Sequence, residues 1–231
     1  MTEYDRFEYD ARMRSVIDRY GNEEVKPAQS YEYFEAQVGM GDDFIRLKPG
    51  FLARSVTDEI IQVMRLQLGK GMSCNFIWGV SLAWLPHIFE PRPRFHRTLK
   101  SARFDLFEWA ERYPLQPDMS RHDCSVSLGH GVEYMELTCN TMLDFFKPHV
   151  EQFFNAIDSP NAVCDYLNAM YTGNDCRLDV HSPHPLLVLI FTEAKLGNID
   201  NAYRAMDRYY GRKRGVPQVS RQVVESIIQT Q

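Results

Sequence analysis

The sequence predicts an α+β fold: an antiparallel sheet of about four or five strands covered by helices, followed by a C-terminal helical subdomain. Three observations predict it. Two long apolar runs, residues 60–68 and 74–85, flank Gly69-Lys70-Gly71, and a glycine connection between such runs reads as a β-hairpin because glycine supplies positive φ. Shorter strand-like runs lie on both sides of that hairpin. From Asn140 onward the apolar residues step by three and four, which is the helical period.

Within the hairpin, successive side chains of a strand point to opposite faces. Ile60, Met64, Leu66 and Leu68 form one apolar face, continued on the second strand by Phe76, Trp78, Val80, Leu82 and Trp84. The polar or small residues Gln62, Arg65 and Gln67, with Asn75, Gly79, Ser81 and Ala83, are expected on the other face.

The remaining elements follow in order. Residues 4–20 read as a helix, with Phe7, Ala11, Arg14 and Ile17 at helical spacing and Met13, Val16 and Tyr20 alongside. Gly21-Asn22 ends it. Ser30 is placed to cap a second helix over 31–38. Phe44-Ile45-Arg46-Leu47 and residues 51–56 read as strands around the turn signal Lys48-Pro49-Gly50. Beyond the hairpin, Pro86 and Glu90-Pro91-Arg92-Pro93 break regular structure. Residues 102–109 suit a strand, with a helix as the rival. Residues 113–118 are a proline-marked loop, and 124–128 with 132–137 flank Gly129-His130-Gly131 as a second hairpin candidate.

The helical part opens on Met142, Phe145, Phe146, His149, Val150, Phe153, Phe154 and Ile157, an amphipathic stripe. Pro148 within it predicts a kink or a helix start. Ser159-Pro160 and Ser182-Pro183 both read as a cap followed by proline at the first helical position. They open helices over 161–170 and 184–196. Gly197-Asn198 separates the latter from a helix over 200–210, a helical hairpin of the tetratricopeptide kind without an array, and Ser220 caps a last helix. The organisation is thus residues 1–158 as the sheet domain with its N-terminal helices, and 159–231 as a helical extension packed on it.

Composition narrows the function classes. A formal charge of −5 argues against a general nucleic-acid binder, which needs a cationic footprint, and suits a basic protein partner. Cys74, Cys124, Cys139, Cys164 and Cys176 are odd in number, irregularly spaced and without a CxxC pair, so neither a zinc finger nor a disulfide framework is indicated. The first twenty residues are dense in charge, unlike a signal peptide. The longest apolar run, 185–191, is too short to span a bilayer. A cytoplasmic protein with free thiols and no membrane association is expected.

Motifs for chemistry are sparse. Asp179, His181 and His184 form a conceivable ligand set, but Pro183 and Pro185 break any continuous helical face and no HExxH spacing supports a metal. Arg121-His122-Asp123-Cys124 brings together the residue types of a cysteine nucleophile and its base. On a strand, however, His122 and Cys124 share a face that Asp123 does not. Ser127-Leu128-Gly129-His130-Gly131 lacks the GxSxG order, and there is no Walker loop, GxGxxG or kinase set. No cofactor and no metal are expected.

The densest charge is Arg92, Arg94, His96, Arg97, Lys100 and Arg103. Arginine forks match phosphate and carboxylate, so these six are the candidate site for an anion or an acidic partner; the alternative is pairing with Asp105, Glu108 and Glu111. Arg212-Lys213-Arg214 reads as a solvated linker. Trp78 and Trp84 read as core residues in preference to an aromatic platform.

The order Gly50-Phe51, Ile60-Ile61-Gln62-Val63, Gly79-Val80 and Leu85-Pro86, then Phe145-Phe146-Lys147-Pro148, resembles the bacterial domain of unknown function 4304 family over residues 36–155. The resemblance implies an α+β fold and a bacterial source and carries over no catalytic residue. The expected function is a non-enzymatic cytoplasmic protein-binding protein, in its concrete form a bacterial immunity protein that neutralises a toxin. Acidic balance, abundant aromatics and the lack of an assembled catalytic motif motivate it. The alternative is a small hydrolase or nuclease whose site is assembled from scattered His, Asp and Cys.

Overall fold

The computed structural model describes residues 3–39, 43–69, 71–87, 94–95, 98–110, 124–172, 183–211 and 219–229. It is α+β. The described elements, in order, are α1 (Glu3–Tyr20), α2 (Pro27–Gly39), β1 (Ile45–Lys48), β2 (Phe51–Ser55), β3 (Ile60–Leu68), β4 (Ser73–Leu82), β5 (Pro86–His87), β6 (Arg94–Phe95), β7 (Leu106–Trp109), β8 (Ser125–Ser127), α3 (Gly131–Asn155), α4 (Pro160–Thr172), α5 (Pro185–Lys195), α6 (Ile199–Tyr210) and α7 (Arg221–Ile228). One sheet has the order β1-β2-β3-β4-β7, with β8 also paired to β4; β5 and β6 form a separate ribbon. The expected central hairpin is β3–β4, closed by a bond from the Gly69 amide to the Ser73 carbonyl at 2.9 Å.

The chain forms two compact units. The first comprises residues 1–52, 64–77 and 109–149; the second comprises 53–63, 78–108 and 150–231. The division therefore passes through β2, β3, β4, β7 and α3, and residues 150–158 belong with the C-terminal helices.

In the first unit, Phe34 of α2 meets Phe76 of β4 edge-on, centroids 5.6 Å apart. Around them Met64, Leu66, Cys74, Val126, Met135, Cys139, Met142 and Phe146 are buried. The β1–β2 turn needs its glycine. Gly50 has φ +68°, and a Cβ there would stand 2.7 Å from both the Leu66 carbonyl oxygen and the Tyr31 ring; residues with side chains rarely adopt that φ. The Gly50 amide donates to Glu35 Oε1 at 2.6 Å, which fixes the turn against α2. The Val25 amide donates to the Leu128 carbonyl and the Gly131 amide to the Glu23 carbonyl, each at 2.8 Å, seating the α1–α2 connection beside β8 and the start of α3.

In the second unit α5 is central. Every residue from Pro185 to Ala194 is buried, as expected of a helix apolar on all sides, and α4 and α6 both pack on it. Trp78, Val80, Leu82, Leu85 and Leu106 supply the sheet side of that core, and Phe153, Ile157, Val163, Leu167, Met206 and Ile227 the helical side.

Several local expectations are corrected. Residues 132–137 are not a strand of a second hairpin but the first turns of α3. Met135, Cys139, Met142 and Phe146, all buried, extend the helical stripe back to Gly131, so β8 alone survives from that pair. Of the two expectations at Pro148 the helix start is overturned, since α3 runs from Gly131 to Asn155 through it. Gln62 is buried, not solvent-facing. It shares strand parity with Ile60 and Met64, and its Oε1 accepts from Arg54 Nε at 2.8 Å. Ile61 and Val63 are also buried, so β3 is covered on both faces. Ser30 lies inside α2, which begins at Pro27; its hydroxyl donates to the Pro27 carbonyl at 2.8 Å. Over residues 11–20 of α1 the half-buried residues are Met13, Val16 and Tyr20, while Ala11, Arg14 and Ile17 are exposed; the side chain of Phe7 lies outside the described ones. The cap of α5 is His184, whose Nδ1 accepts from the Leu186 amide at 3.1 Å, two residues later than the expected Ser182. Residues 102–109 contain a strand, but only Leu106–Trp109. The loop expected over 113–118 lies outside the described residues.

Candidate functional site

The arginine-bearing segment begins as the β5–β6 ribbon, with Pro86 opposite Phe95 and His87 opposite Arg94. Arg94 and Lys100 are exposed, Lys100 within a single 3-10 turn, Leu99–Ser101. Arg103 turns inward. Its Nε donates to Asp105 Oδ1 at 2.5 Å and its Nη2 to the Pro86 carbonyl at 3.3 Å. Arg92, His96 and Arg97 lie outside the described residues, as does the 212–214 cluster. Of the carboxylates expected as partners, Asp105 holds Arg103, whereas Glu108 accepts from the Tyr166 hydroxyl at 2.8 Å.

Asp105 is wholly buried. Its Oδ2 accepts from the Leu82 amide at 2.8 Å and from the Ser81 hydroxyl at 3.5 Å. Burial pushes its carboxyl up to about 6, against the opposing pull of Arg103 and these hydrogen bonds. The other buried carboxylates of this unit are also engaged internally: Glu108 by Tyr166, and Glu193 by Asn198 Nδ2 at 2.9 Å. A general base must reach the proton that it removes. Asp105, closed over by Arg103, Ser81 and β4, is arranged to hold structure together.

The thiols carry the same message. Cys74, Cys124, Cys139 and Cys164 are free and buried. Burial pushes the Cys139 and Cys164 thiols up to about 12, with Cys74 adding to the first and Glu193 to the second, and burial also raises Cys74. An activated nucleophile needs the opposite shift. His122 and Asp123 lie outside the described residues, as do Asp179, His181 and Cys176. His184 has its Nδ1 occupied by the α5 cap. Among the described residues no group of three His, Cys, Asp or Glu is placed to hold a metal ion, and no helix is long and apolar enough to cross a membrane. Trp78 and Trp84 are both core residues.

What faces outward is one side of α3. Val132, Glu133, Leu137, Asn140, Thr141 and Asp144 are exposed and Glu136 half-exposed, recurring at steps of three and four that place them on one helical face. Val132 and Leu137 are 44% and 47% exposed. Tyr33 of α2 and Asn140 are joined reciprocally: the hydroxyl to Oδ1 at 3.2 Å and Nδ2 to the hydroxyl oxygen at 2.9 Å. An aromatic ring therefore stands beside this face. The first unit, to which it belongs, has 17 acidic and 12 basic residues in sequence, against 14 and 14 in the second. The whole formal charge of −5 therefore resides with the first.

No family model, curated protein or solved structure matches this chain. The α3 face is hidden in the sequence because residues 132–137 suit a strand as well as a helix. The signal that locates it is the helical recurrence of Glu133, Leu137, Asn140 and Asp144 opposite the buried Met135, Cys139, Met142 and Phe146.

Proposed function

We propose that this chain is a non-enzymatic protein-binding protein of the cytoplasm, and that the exposed face of α3 docks a basic protein partner. The observation that carries the reading is the pairing of exposed Val132 and Leu137 with Glu133, Glu136 and Asp144 on one helical face, in the unit that bears the net negative charge. Apolar side chains at the centre of a contact provide affinity once dehydrated. Carboxylates around them steer a cationic partner and fix its orientation. A bacterial immunity protein that neutralises a toxin is the concrete form of this reading. The arginine-bearing segment supports a second, weaker surface for an acidic group through exposed Arg94 and Lys100.

The test is affinity capture from a lysate of the source cells with the parent chain and with the triple variant Glu133→Lys, Leu137→Lys, Asp144→Lys. The parent should retain a defined basic protein that is released by about 0.5 M salt, where screening is strong, and the variant should not. Retention of the same proteins by both would refute the assignment.

A further inference from the structure

The sheet ends on β1. Among the described residues β2 is its one hydrogen-bonded neighbour, and no strand follows on the other side. The Pro49-Gly50 connection to β2 is too short for anything but antiparallel pairing. In such a pair alternate residues direct their N–H and C=O groups to the neighbour, and the residues between direct theirs away from it. The outer edge of β1 is therefore a row of backbone donors and acceptors, a template for one more strand. Ile45, Arg46 and Lys48 are exposed and Leu47 is half-exposed, so the strand stands open along its length. It is also held in place: Glu35 of α2 accepts from the Gly50 amide through Oε1 at 2.6 Å and faces Arg46 Nε through Oε2 at 3.4 Å.

We propose that the outer edge of β1 receives an extended acidic segment of a partner protein, which adds a strand to the sheet with carboxylates and apolar side chains alternating along it. Main-chain bonds supply affinity in this mode and the alternate side chains supply specificity. Strand alternation places Arg46 and Lys48 on one face and Ile45 and Leu47 on the other. The Arg46 side chain is 50% exposed and meets Glu35 through Nε; a guanidinium carries further donors on its terminal nitrogens, which suit a second carboxylate. Lys48 Nζ lies 5.2 Å from the centroid of the Phe51 ring, a contact that fixes the ammonium without neutralising it. Ile45, 47% exposed, offers apolar contact on the opposite face, where cross-strand pairs stabilise a sheet.

Charge selects the occupant. Arg46 and Lys48 share a face, so the aligned β1 edges of two copies would set cation against cation, and like charges directly opposite are destabilising. The same two cations favour an incoming strand that bears carboxylates on that face. The α3 face takes a partner of the opposite charge, and neither surface depends on the other.

The probe is a capped fluorescent peptide of about six alternating glutamate and valine residues, the length of an ordinary strand. It is titrated with the parent chain at about 0.05 M salt, where screening is weak, and followed by anisotropy. It should bind with a dissociation constant below about 1 mM and should slow amide exchange over residues 45–48. The peptide with lysine in place of glutamate, and the glutamate peptide N-methylated throughout, should both fail to bind. Arg46→Gln combined with Lys48→Gln should weaken binding of the glutamate peptide roughly fivefold, as the loss of two exposed ion pairs implies. Absence of binding up to about 1 mM, equal binding of the N-methylated peptide, or unchanged affinity of the double variant would each overturn the proposal. So would sedimentation showing that parent chains pair through this edge, the occupant then being a second copy. The peptide series on the parent chain decides the matter even if the double variant does not fold.

Discussion

The indole Nε1 of Trp84 donates to Oγ1 of Thr192 across 3.0 Å, joining the end of the β4 segment to a helix 108 residues further along the chain. The same hydroxyl donates to the Val188 carbonyl at 2.7 Å, so Thr192 serves both its own helix and the sheet side of the second unit. Both residues are buried, where a donor without its acceptor costs the most. Thr192→Val keeps the volume and removes the oxygen. It should lower unfolding stability by about 1–3 kcal/mol, measured by urea denaturation; an unchanged midpoint would mean that the bond contributes nothing.

Gly79 is a second point of close approach. A Cβ there would lie 2.3 Å from the Leu106 carbonyl oxygen and 2.6 Å from Phe107 Cβ, so β4 and β7 pair closely only because this residue has no side chain. Gly79→Ala forces β7 away. It should destabilise by about 2 kcal/mol or more, in the upper range for substitutions in a packed interior. Gly71→Ala is the control without a clash, since a Cβ there would meet nothing within 4 Å although its φ is +80°; strain alone should cost it about 1 kcal/mol. Urea midpoints of the two variants measure the difference.

The pH dependence of stability has a definite sign at Asp105. Its carboxyl is raised from 3.8 to about 6 by burial, so the folded chain holds the proton more tightly than the unfolded chain. Below pH 3.8 both states are protonated and the contribution is fully favourable; it is lost as pH rises to about 6. Asp105→Asn has no such titration. Its stability relative to the parent should therefore rise by roughly 3 kcal/mol between pH 4 and pH 7. A constant difference across that range would contradict the shift.

The thiols should be silent until the chain unfolds. Cys74, Cys124, Cys139 and Cys164 are buried and free, and three of them have raised thiol pKa values, so both access and ionisation oppose reaction. A thiol reagent at pH 7.5 should leave these four unmodified in the native protein. In denaturant without reductant, all five cysteines of the sequence should react. Rapid native labelling at Cys164 would show that the α4–α5 packing opens.

The central hairpin is legible in the sequence because strand alternation and the glycine turn agree: Phe76, Trp78, Val80 and Leu82 are buried as their spacing requires. The caps at Ser159 and Ser220 are legible for a similar reason, a local hydrogen bond whose donor and acceptor lie within three residues. Less can be read where tertiary contacts decide. Gln62 is drawn into the interior by Arg54, which no local pattern reveals. His184 caps α5 through a ring nitrogen, although serine two residues earlier has the better propensity. Residues 132–137 contain Val132, Tyr134 and Leu137 at spacings that suit either period over so short a window, and only continuation through Phe146 selects the helix. The site is harder still. In sequence Arg103 groups with its cationic neighbours and Asp105 is one of three carboxylates offered to all of them; the fold assigns Asp105 to Arg103, while Glu108 goes to Tyr166. The exposed α3 face becomes visible only once its buried face is known.

Leu137 stands exposed among Glu133, Asn140 and Asp144, at the centre of the proposed docking face. The decisive measurement is binding of the captured basic partner to purified parent and Leu137→Lys chains by calorimetry at 0.1 M salt, with thermal unfolding of both recorded beside it. Substitution of an exposed residue should leave the unfolding midpoint nearly unchanged, while loss of a central apolar anchor should weaken binding by about 2 kcal/mol, roughly thirtyfold. Equal affinity of the two chains would contradict the proposed docking face.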